Sequence, residues 1–176
     1  DKQLKIAIEI GDRAEEGEAY KNLGNAYFSL HDFRKAIEYR EKDLKIKIEI
    51  GDRAGQGQAY GNMGKAHMLL EDFQKAIDSY EKYLKFAIEI GDRVGELQAY
   101  GNIGNAYRSL GDFQKAIECH DKQLKIAIEI GDRVGEGRAY GNLGNVYQLM
   151  VNLRKTIEYY EKALEIEREI GNQARE

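Results

Sequence analysis

Apolar residues recur along the chain at the three- and four-residue spacing of amphipathic helices. After Phe113, the residues Ala116, Ile117, Leu124 and Ile128 share one helical face. Charged residues occupy the exposed positions, with Glu and Lys often four residues apart, a spacing that stabilises helices. No segment alternates apolar and polar residues as a half-buried strand does. The pattern predicts an all-α protein.

The helical pattern repeats every 40 residues. A Gly-Asp-Arg triplet starts at four equivalent positions: Gly11, Gly51, Gly91 and Gly131. An Ala-Tyr pair follows each triplet, and no insertion or deletion breaks the spacing. Fixed periods of this length are typical of repeat arrays, in which each unit buries its apolar face against its neighbours.

Each repeat is predicted to contain two helices. Asp112 fits the N-cap of a second helix, and Gly131 fits the left-handed residue that ends it. Asp132 then caps the first helix of the next repeat, which is expected to run from about Arg133 to Met150.

The first helices are rich in glycine, which destabilises an isolated helix by up to about 1 kcal/mol per residue. Tertiary packing must therefore hold them. One set of glycines is expected to let a second helix approach closely: Gly24, Gly64, Gly104 and Gly144. Another set lies three residues before these in the later repeats: Gly61, Gly101 and Gly141.

Composition narrows the function classes. The 176 residues carry a net charge of −4, which disfavours a nucleic-acid partner because such binders present a basic face. No apolar run reaches the roughly 20 residues of a membrane span. Cys119 is the only cysteine, so no internal disulfide can form and a cytoplasmic location is expected.

No enzymatic or metal site is predicted. His31, His67 and His120 occupy non-equivalent positions of different repeats, and no nucleophile–base set can be picked out. We therefore predict no catalytic, cofactor-binding or metal-binding residues. The chain starts inside a helical pattern, which indicates a segment of a longer protein. A monomer is expected, with end-to-end association possible through apolar residues such as Leu4 and Ile6.

The run Tyr20-x-x-Leu23-Gly24-x-x-Tyr27, followed by Ala36, resembles the signature of tetratricopeptide repeats. This resemblance implies a right-handed superhelical α-solenoid of about four helix–turn–helix repeats plus an N-terminal half-repeat. The array would span 1–176 as follows: a partial second helix (1–10), four repeats (11–50, 51–90, 91–130 and 131–170) and a tail (171–176).

The 40-residue length and the Leu-Gly-Asn triplets at 23–25 and 143–145 are similar to a narrower branch of that family. This branch contains the Leu-Gly-Asn repeat proteins, including Partner of Inscuteable. The similarity implies an adaptor in signalling that recruits other proteins.

In the family that the chain resembles, first helices line the inside of the superhelix. The resemblance therefore implies that Gly61, Gly101 and Gly141 point toward a ligand groove. An asparagine recurs in the first helix of every repeat: Asn22, Asn62, Asn102 and Asn142. Its amide can both donate to and accept from a peptide bond, and an asparagine ladder lines the similar repeats of O-linked N-acetylglucosamine transferase. The alternative is that these amides bond between neighbouring repeats.

A second row on the same face consists of Asn25, Lys65, Asn105 and Asn145. Lys21, Arg108 and Arg138 add positive charge, against Glu18 alone, which favours an acidic ligand; the alternative is an ordinary solvated face. The predicted peptide-binding residues are Asn22, Asn25, Asn62, Lys65, Asn102, Asn105, Arg108, Arg138, Asn142 and Asn145.

We therefore expect a non-enzymatic scaffold that binds an extended, acidic segment of a partner protein in its concave groove. Two other functions stay open at this point. The chain could be a structural spacer or self-assembling array, or the substrate-recruiting arm of an enzyme whose catalytic residues lie elsewhere.

Overall fold

The computed structural model describes residues 2–173, with side chains from 4 to 171, and the regular elements of these residues are all helices. The helices belong to two compact units, residues 1–91 and 92–176. The predicted all-α class is confirmed. None of the described helices is long and apolar enough to cross a bilayer.

The first unit contains a short helix and two helix pairs: α1 (Lys2–Ile10), α2 (Arg13–Ser29), α3 (Phe33–Glu49), α4 (Arg53–Leu69) and α5 (Phe73–Ile90). The second unit contains two pairs: α6 (Arg93–Leu110), α7 (Phe113–Ile130), α8 (Arg133–Leu149) and α9 (Leu153–Gln173). We call α2, α4, α6 and α8 the A helices, and α3, α5, α7 and α9 the B helices. Within each unit, connections of two or three residues make consecutive helices antiparallel neighbours.

The Gly-Asp-Arg triplets build the junction between a B helix and the following A helix. Their glycines are left-handed, with φ between 71° and 74°, as helix C-termini favour. The aspartate caps the A helix; for example, Asp132 Oδ1 accepts from the Gly135 amide at 2.8 Å. The arginine starts the A helix and pairs with a glutamate 36 residues later on the B helix. These pairs are Arg13–Glu49, Arg53–Glu89, Arg93–Glu129 and Arg133–Glu169.

The A and B helices of each repeat approach each other at one glycine. The glycines and the B-helix residues that they face are Gly24 and Arg40, Gly64 and Tyr80, Gly104 and His120, and Gly144 and Tyr160. A Cβ on Gly64 would lie 2.5 Å from Tyr80 Cε1, so the ring occupies the place of the missing side chain. The predicted close approach at these glycines is confirmed.

The Ala-Tyr pairs serve both the core and the surface. Their alanines, Ala19, Ala59, Ala99 and Ala139, are at most 1% exposed. Their tyrosines are half-buried, and a B-helix lysine lies over each ring at 5.1–5.9 Å from the centroid. Such cation–π contacts cover the apolar ring while the ammonium stays in water.

The last helix differs from the sequence prediction. Helix α9 continues through Gly171 to Gln173, although the repeat period predicts a helix end there. Asn172-Gln173 stands in the place of the Asp-Arg pair of the other junctions. Asp1 of the predicted half-repeat and 174–176 of the predicted tail lie outside the described residues.

Candidate functional site

The predicted asparagine row lies on the accessible side of the A helices. In the first unit Asn22 is exposed and Asn62 is half-buried; in the second unit Asn102 is half-buried. No side chain of the described residues is hydrogen-bonded to these three amides. Both the donor and the acceptor of each amide are therefore available to a ligand.

The fourth member of the row, Asn142, is engaged within the scaffold. Its Nδ2 donates to Gln123 Oε1 of α7 at 3.3 Å. The same oxygen lies 3.1 Å from His120 Nδ1. The Asn142 amide thus joins neighbouring repeats, as the alternative interpretation expects, and its Oδ1 and second N–H are left for a ligand.

Two members of the second row, Asn25 and Asn145, are oriented by hydrogen bonds from the B helices. Asn25 Oδ1 accepts a hydrogen bond from the Arg40 guanidinium, and Asn145 Oδ1 accepts one from Tyr160 Oη at 2.7 Å. A guanidinium can only donate, so Asn25 must present its NH₂ group as a donor to any ligand. The amide is thereby fixed as a binding group for carbonyl or carboxylate oxygens.

The positive charge on the A-helix face comes from three residues. Lys21 pairs with Glu18, so its charge is compensated locally. Lys65, Arg108 and Arg138, in contrast, form no ion pair with any residue between 4 and 171. Arg108 is half-buried, whereas Lys65 and Arg138 are exposed. Lys65 in the first unit, and Arg108 and Arg138 in the second, each favour anionic ligands on the A helices of their own unit.

The predicted groove glycines have different neighbours from those expected. A Cβ on Gly61 would lie 3.3 Å from Tyr83 Cδ1, and one on Gly101 would lie 2.7 Å from Gln123 Nε2. Both glycines therefore face the B helix of their own repeat, and the groove prediction is wrong for them. Gly141 has open space around it, because the equivalent B-helix position holds only Ala163.

In each unit, a concavity among the described residues contains predicted ligand residues. In the first unit a pocket of about 140 Å³ is lined by residues of α2, α3 and α4, including Asn25, Asn62 and Lys65. In the second unit a groove of about 460 Å³ runs along α8 and α9 and includes Arg138 and Asn145.

Sequence reasoning did not find the ion pair that adjoins the first pocket. Arg40 and Asp43 of α3 are 5% and 2% exposed, with 3.6 Å between Arg40 Nη1 and Asp43 Oδ2. Burial lowers the pKa of Arg40 and raises that of Asp43. The sequence did contain a signal for this ion pair. Arg40 departs from the repeat pattern, because the equivalent residue in the other three repeats has an uncharged ring.

Two matches with the tetratricopeptide repeat family profile cover residues 15–89 and 95–169. The chain belongs to the tetratricopeptide repeat family. In the described part of this tetratricopeptide repeat chain, no three His, Cys, Asp or Glu side chains are grouped so that they could hold a metal ion.

Solved structures share the tetratricopeptide repeat fold of this chain. BtubC from P. vanneervenii is 23% identical with a TM-score of 0.82, covering 91% of this chain and 66% of its own. A signal transduction ATPase with numerous domains and a tetratricopeptide repeat sensor, from Pyrococcus horikoshii, is 29% identical (TM-score 0.85; 98% of this chain, 27% of its own). A Rap protein complexed with Competence and Sporulation Factor is 18% identical with a TM-score of 0.76, covering 88% of this chain and 43% of its own. This tetratricopeptide repeat chain thus spans between about a quarter and two thirds of these proteins, and no curated protein matches it in sequence.

Proposed function

We propose that this chain is an adaptor that holds an extended segment of another protein against its A helices. The observation that carries the proposal is the reachable, unbonded amides on Asn22 and Asn62 of the first unit and on Asn102 of the second. Neighbouring packed helices lie roughly 8–10 Å apart, a distance that about three extended residues cover. Within each unit, amides on successive A helices would therefore bind the ligand backbone at about every third residue.

The proposed ligand is acidic. Lys65, Arg108 and Arg138 supply uncompensated positive charge, and the Asn25 amide is fixed as a donor. Carboxylates on the ligand would meet these groups without having to displace an existing ion pair. Charge complementarity of this kind mainly raises association rates and selects partners.

Two comparisons support an adaptor. The similar Rap protein was solved in complex with Competence and Sporulation Factor, so a related fold holds a partner molecule. The Leu-Gly-Asn triplets support the narrower proposal of a signalling adaptor in the cytoplasm. The proposal assigns no catalytic step to the chain.

Peptide selection with a paired set of variants tests the proposal. Random extended peptides are displayed and selected against the wild-type chain, and their affinities are then measured by fluorescence anisotropy. The double variant Asn62→Ala/Asn102→Ala is expected to bind them at least about tenfold more weakly, since each lost peptide hydrogen bond contributes about 1 kcal/mol. Its helicity should not change.

The matched control removes two amides from equivalent exposed B-helix positions. Gln74 and Gln114 bond only to Asp78 and Glu118 of their own helices, so Gln74→Ala/Gln114→Ala should leave affinity unchanged. Equal affinity of the two double variants would refute the role of the row. Equal binding of an acidic peptide and its charge-reversed copy would refute the acidic preference alone.

Self-association is a second candidate, favoured by one observation. Val134 and Leu164 are 48% and 45% exposed in the groove of the second unit. Analytical ultracentrifugation of the wild type and Leu164→Glu tests it. A concentration-dependent dimer that the variant abolishes would support a self-assembling array, whereas a monomer at every concentration would exclude it.

A further inference from the structure

Two cations of the first unit break the 40-residue pattern. On the B helices, Arg40 stands where the other repeats have Tyr80, His120 and Tyr160. On the A helices, Lys65 stands where the other repeats have Asn25, Asn105 and Asn145. A scaffold role does not require either cation, because the other repeats fold with uncharged residues at both positions.

Both exceptions line the same pocket. The 140 Å³ cavity of the first unit has Arg40 and Lys65 in its wall, with Asn25, Asn62 and Phe28 beside them. This volume holds on the order of ten waters, which is enough for the carboxyl and methylene groups of one acidic side chain. Two cations from different helices, gathered around a space of that size, indicate a small anionic group.

The Arg40 guanidinium has unused donors. It offers five N–H groups, and among the described residues it makes one hydrogen bond, to Asn25 Oδ1. Its carboxylate neighbour Asp43 is 3.6 Å away, beyond hydrogen-bond distance, and Asp43 Oδ1 has no hydrogen-bond partner. Among the described side chains, the Arg40 nitrogens are not fully enclosed, so their unused N–H groups are open to an acceptor that enters the pocket.

We propose that this pocket is a carboxylate subsite for a glutamate or aspartate side chain of the bound segment. The inference rests on the proposed function and deepens it. Arg40 and Lys65 together carry +2 and Asp43 carries −1, so the pocket has a local charge of about +1, which suits a monoanionic carboxylate better than a phosphate dianion. The Asn62 amide would give a further donor, and Phe28 would contact the methylene groups.

The test uses three small probes with isotope-labelled wild-type chain. N-acetyl-glutamate N-methylamide carries a side-chain carboxylate, the glutamine analogue carries none, and N-acetyl-glutamine carries its carboxylate at the chain end. NMR titration follows the side-chain amides of Asn25 and Asn62 and the backbone amides of Gly24 and Ala66. Saturable shifts with the glutamate probe alone are expected.

Variants taken from the other repeats keep the fold intact. Lys65→Asn copies the residue of the first, third and fourth repeats, and Arg40→Tyr/Asp43→Ala copies Tyr160 and Ala163 of the fourth. We expect about tenfold weaker glutamate binding for Lys65→Asn, and none for the double variant, since a charged hydrogen bond contributes about 1.5–3 kcal/mol. Lys125→Asn, which removes a charge from an exposed position in the second unit, is the control and should bind as the wild type does.

Three results would overturn the subsite: equal shifts with the glutamine analogue, unchanged binding in Lys65→Asn, or tighter binding of the chain-end carboxylate than of the side-chain one. Failure of the proposed function gives a different result from failure of the subsite. If only the proposed function fails, the glutamate probe still binds, while the selected peptides bind Asn62→Ala/Asn102→Ala as tightly as the wild type.

Discussion

Gly104 of α6 lies directly against the imidazole of His120 on α7, so that a Cβ on the glycine would lie 2.6 Å from His120 Cε1. His120 is fully buried, and its ring cannot swing into solvent. This contact explains why a glycine that weakens the helix by itself recurs in every repeat.

Gly104→Ala is therefore expected to destabilise the chain. Overpacking of a rigid core costs about 1–3 kcal/mol, which exceeds or cancels the gain of up to about 1 kcal/mol in helix propensity. Gly141→Ala is the control, because nothing lies within 4 Å of a Cβ at Gly141, and it should stabilise by up to about 1 kcal/mol. Urea unfolding measures both; equal effects would contradict the packing role of Gly104.

His120 should make stability depend on pH. Burial lowers its pKa from an ordinary 6.5 to about 4; the hydrogen bond to Gln123 opposes this shift and the nearby Arg108 cation adds to it. Between these pH values the unfolded state binds the proton and the folded state does not, so stability falls as the pH drops from 6.5 toward 4. The loss attributable to His120 should be about 2 kcal/mol at pH 5.

Comparison with His120→Tyr isolates this contribution, since tyrosine occupies the equivalent position in Tyr80 and Tyr160. The difference in unfolding free energy between pH 7.5 and pH 5 should be larger in the wild type than in the variant. An identical pH dependence would show that the imidazole is not held neutral.

Val151→Gly is expected to stabilise the second unit. Val151 has φ 57° at the turn before α9, whereas the equivalent residue of the third repeat is Gly111 with φ 82°. A β-branched residue in the left-handed region is strained by about 1–2 kcal/mol. We expect a gain of about 1 kcal/mol in thermal unfolding, and a comparable loss for Gly111→Val. A loss of stability in Val151→Gly would refute the strain.

Asn142 and Asn102 should differ in their contributions to the free energy of unfolding. Asn142→Ala removes the bond to Gln123 and should cost about 1 kcal/mol. Asn102→Ala removes no side-chain hydrogen bond of the described residues and replaces a weak helix former, so stability should stay equal or rise slightly. Equal losses would mean that Asn102 also serves the scaffold.

The fold was predictable because its signals are local. Gly131 and Asp132 specify the end of one helix and the start of the next within two residues, and equivalent Gly-Asp pairs recur every 40 residues. The position of the Asn22, Asn62 and Asn102 row was predictable for a similar reason, since helical spacing places each asparagine on one face with the residue three positions later, namely Asn25, Lys65 and Asn105.

The remaining features depend on contacts between helices. The bond of Asn142 to Gln123 and the pocket shared by Arg40 and Lys65 join residues 19 and 25 positions apart, on different helices. Helical periodicity gives the face of each residue but not the side chain that it meets. The wrong groove prediction for Gly101 has the same origin. The spacing within its own helix leaves this face of Gly101 open, but Gln123 of the B helix covers it.

Ligand binding by the A-helix asparagines is tested most directly by an NMR titration of the wild-type chain with a selected peptide, following every side-chain amide. We expect the Asn22, Asn62 and Asn102 amides to shift and become protected from exchange, while those of Gln74 and Gln114 on the B helices do not change. Shifts confined to the B-helix amides, with the three asparagines unaffected, would contradict this expectation.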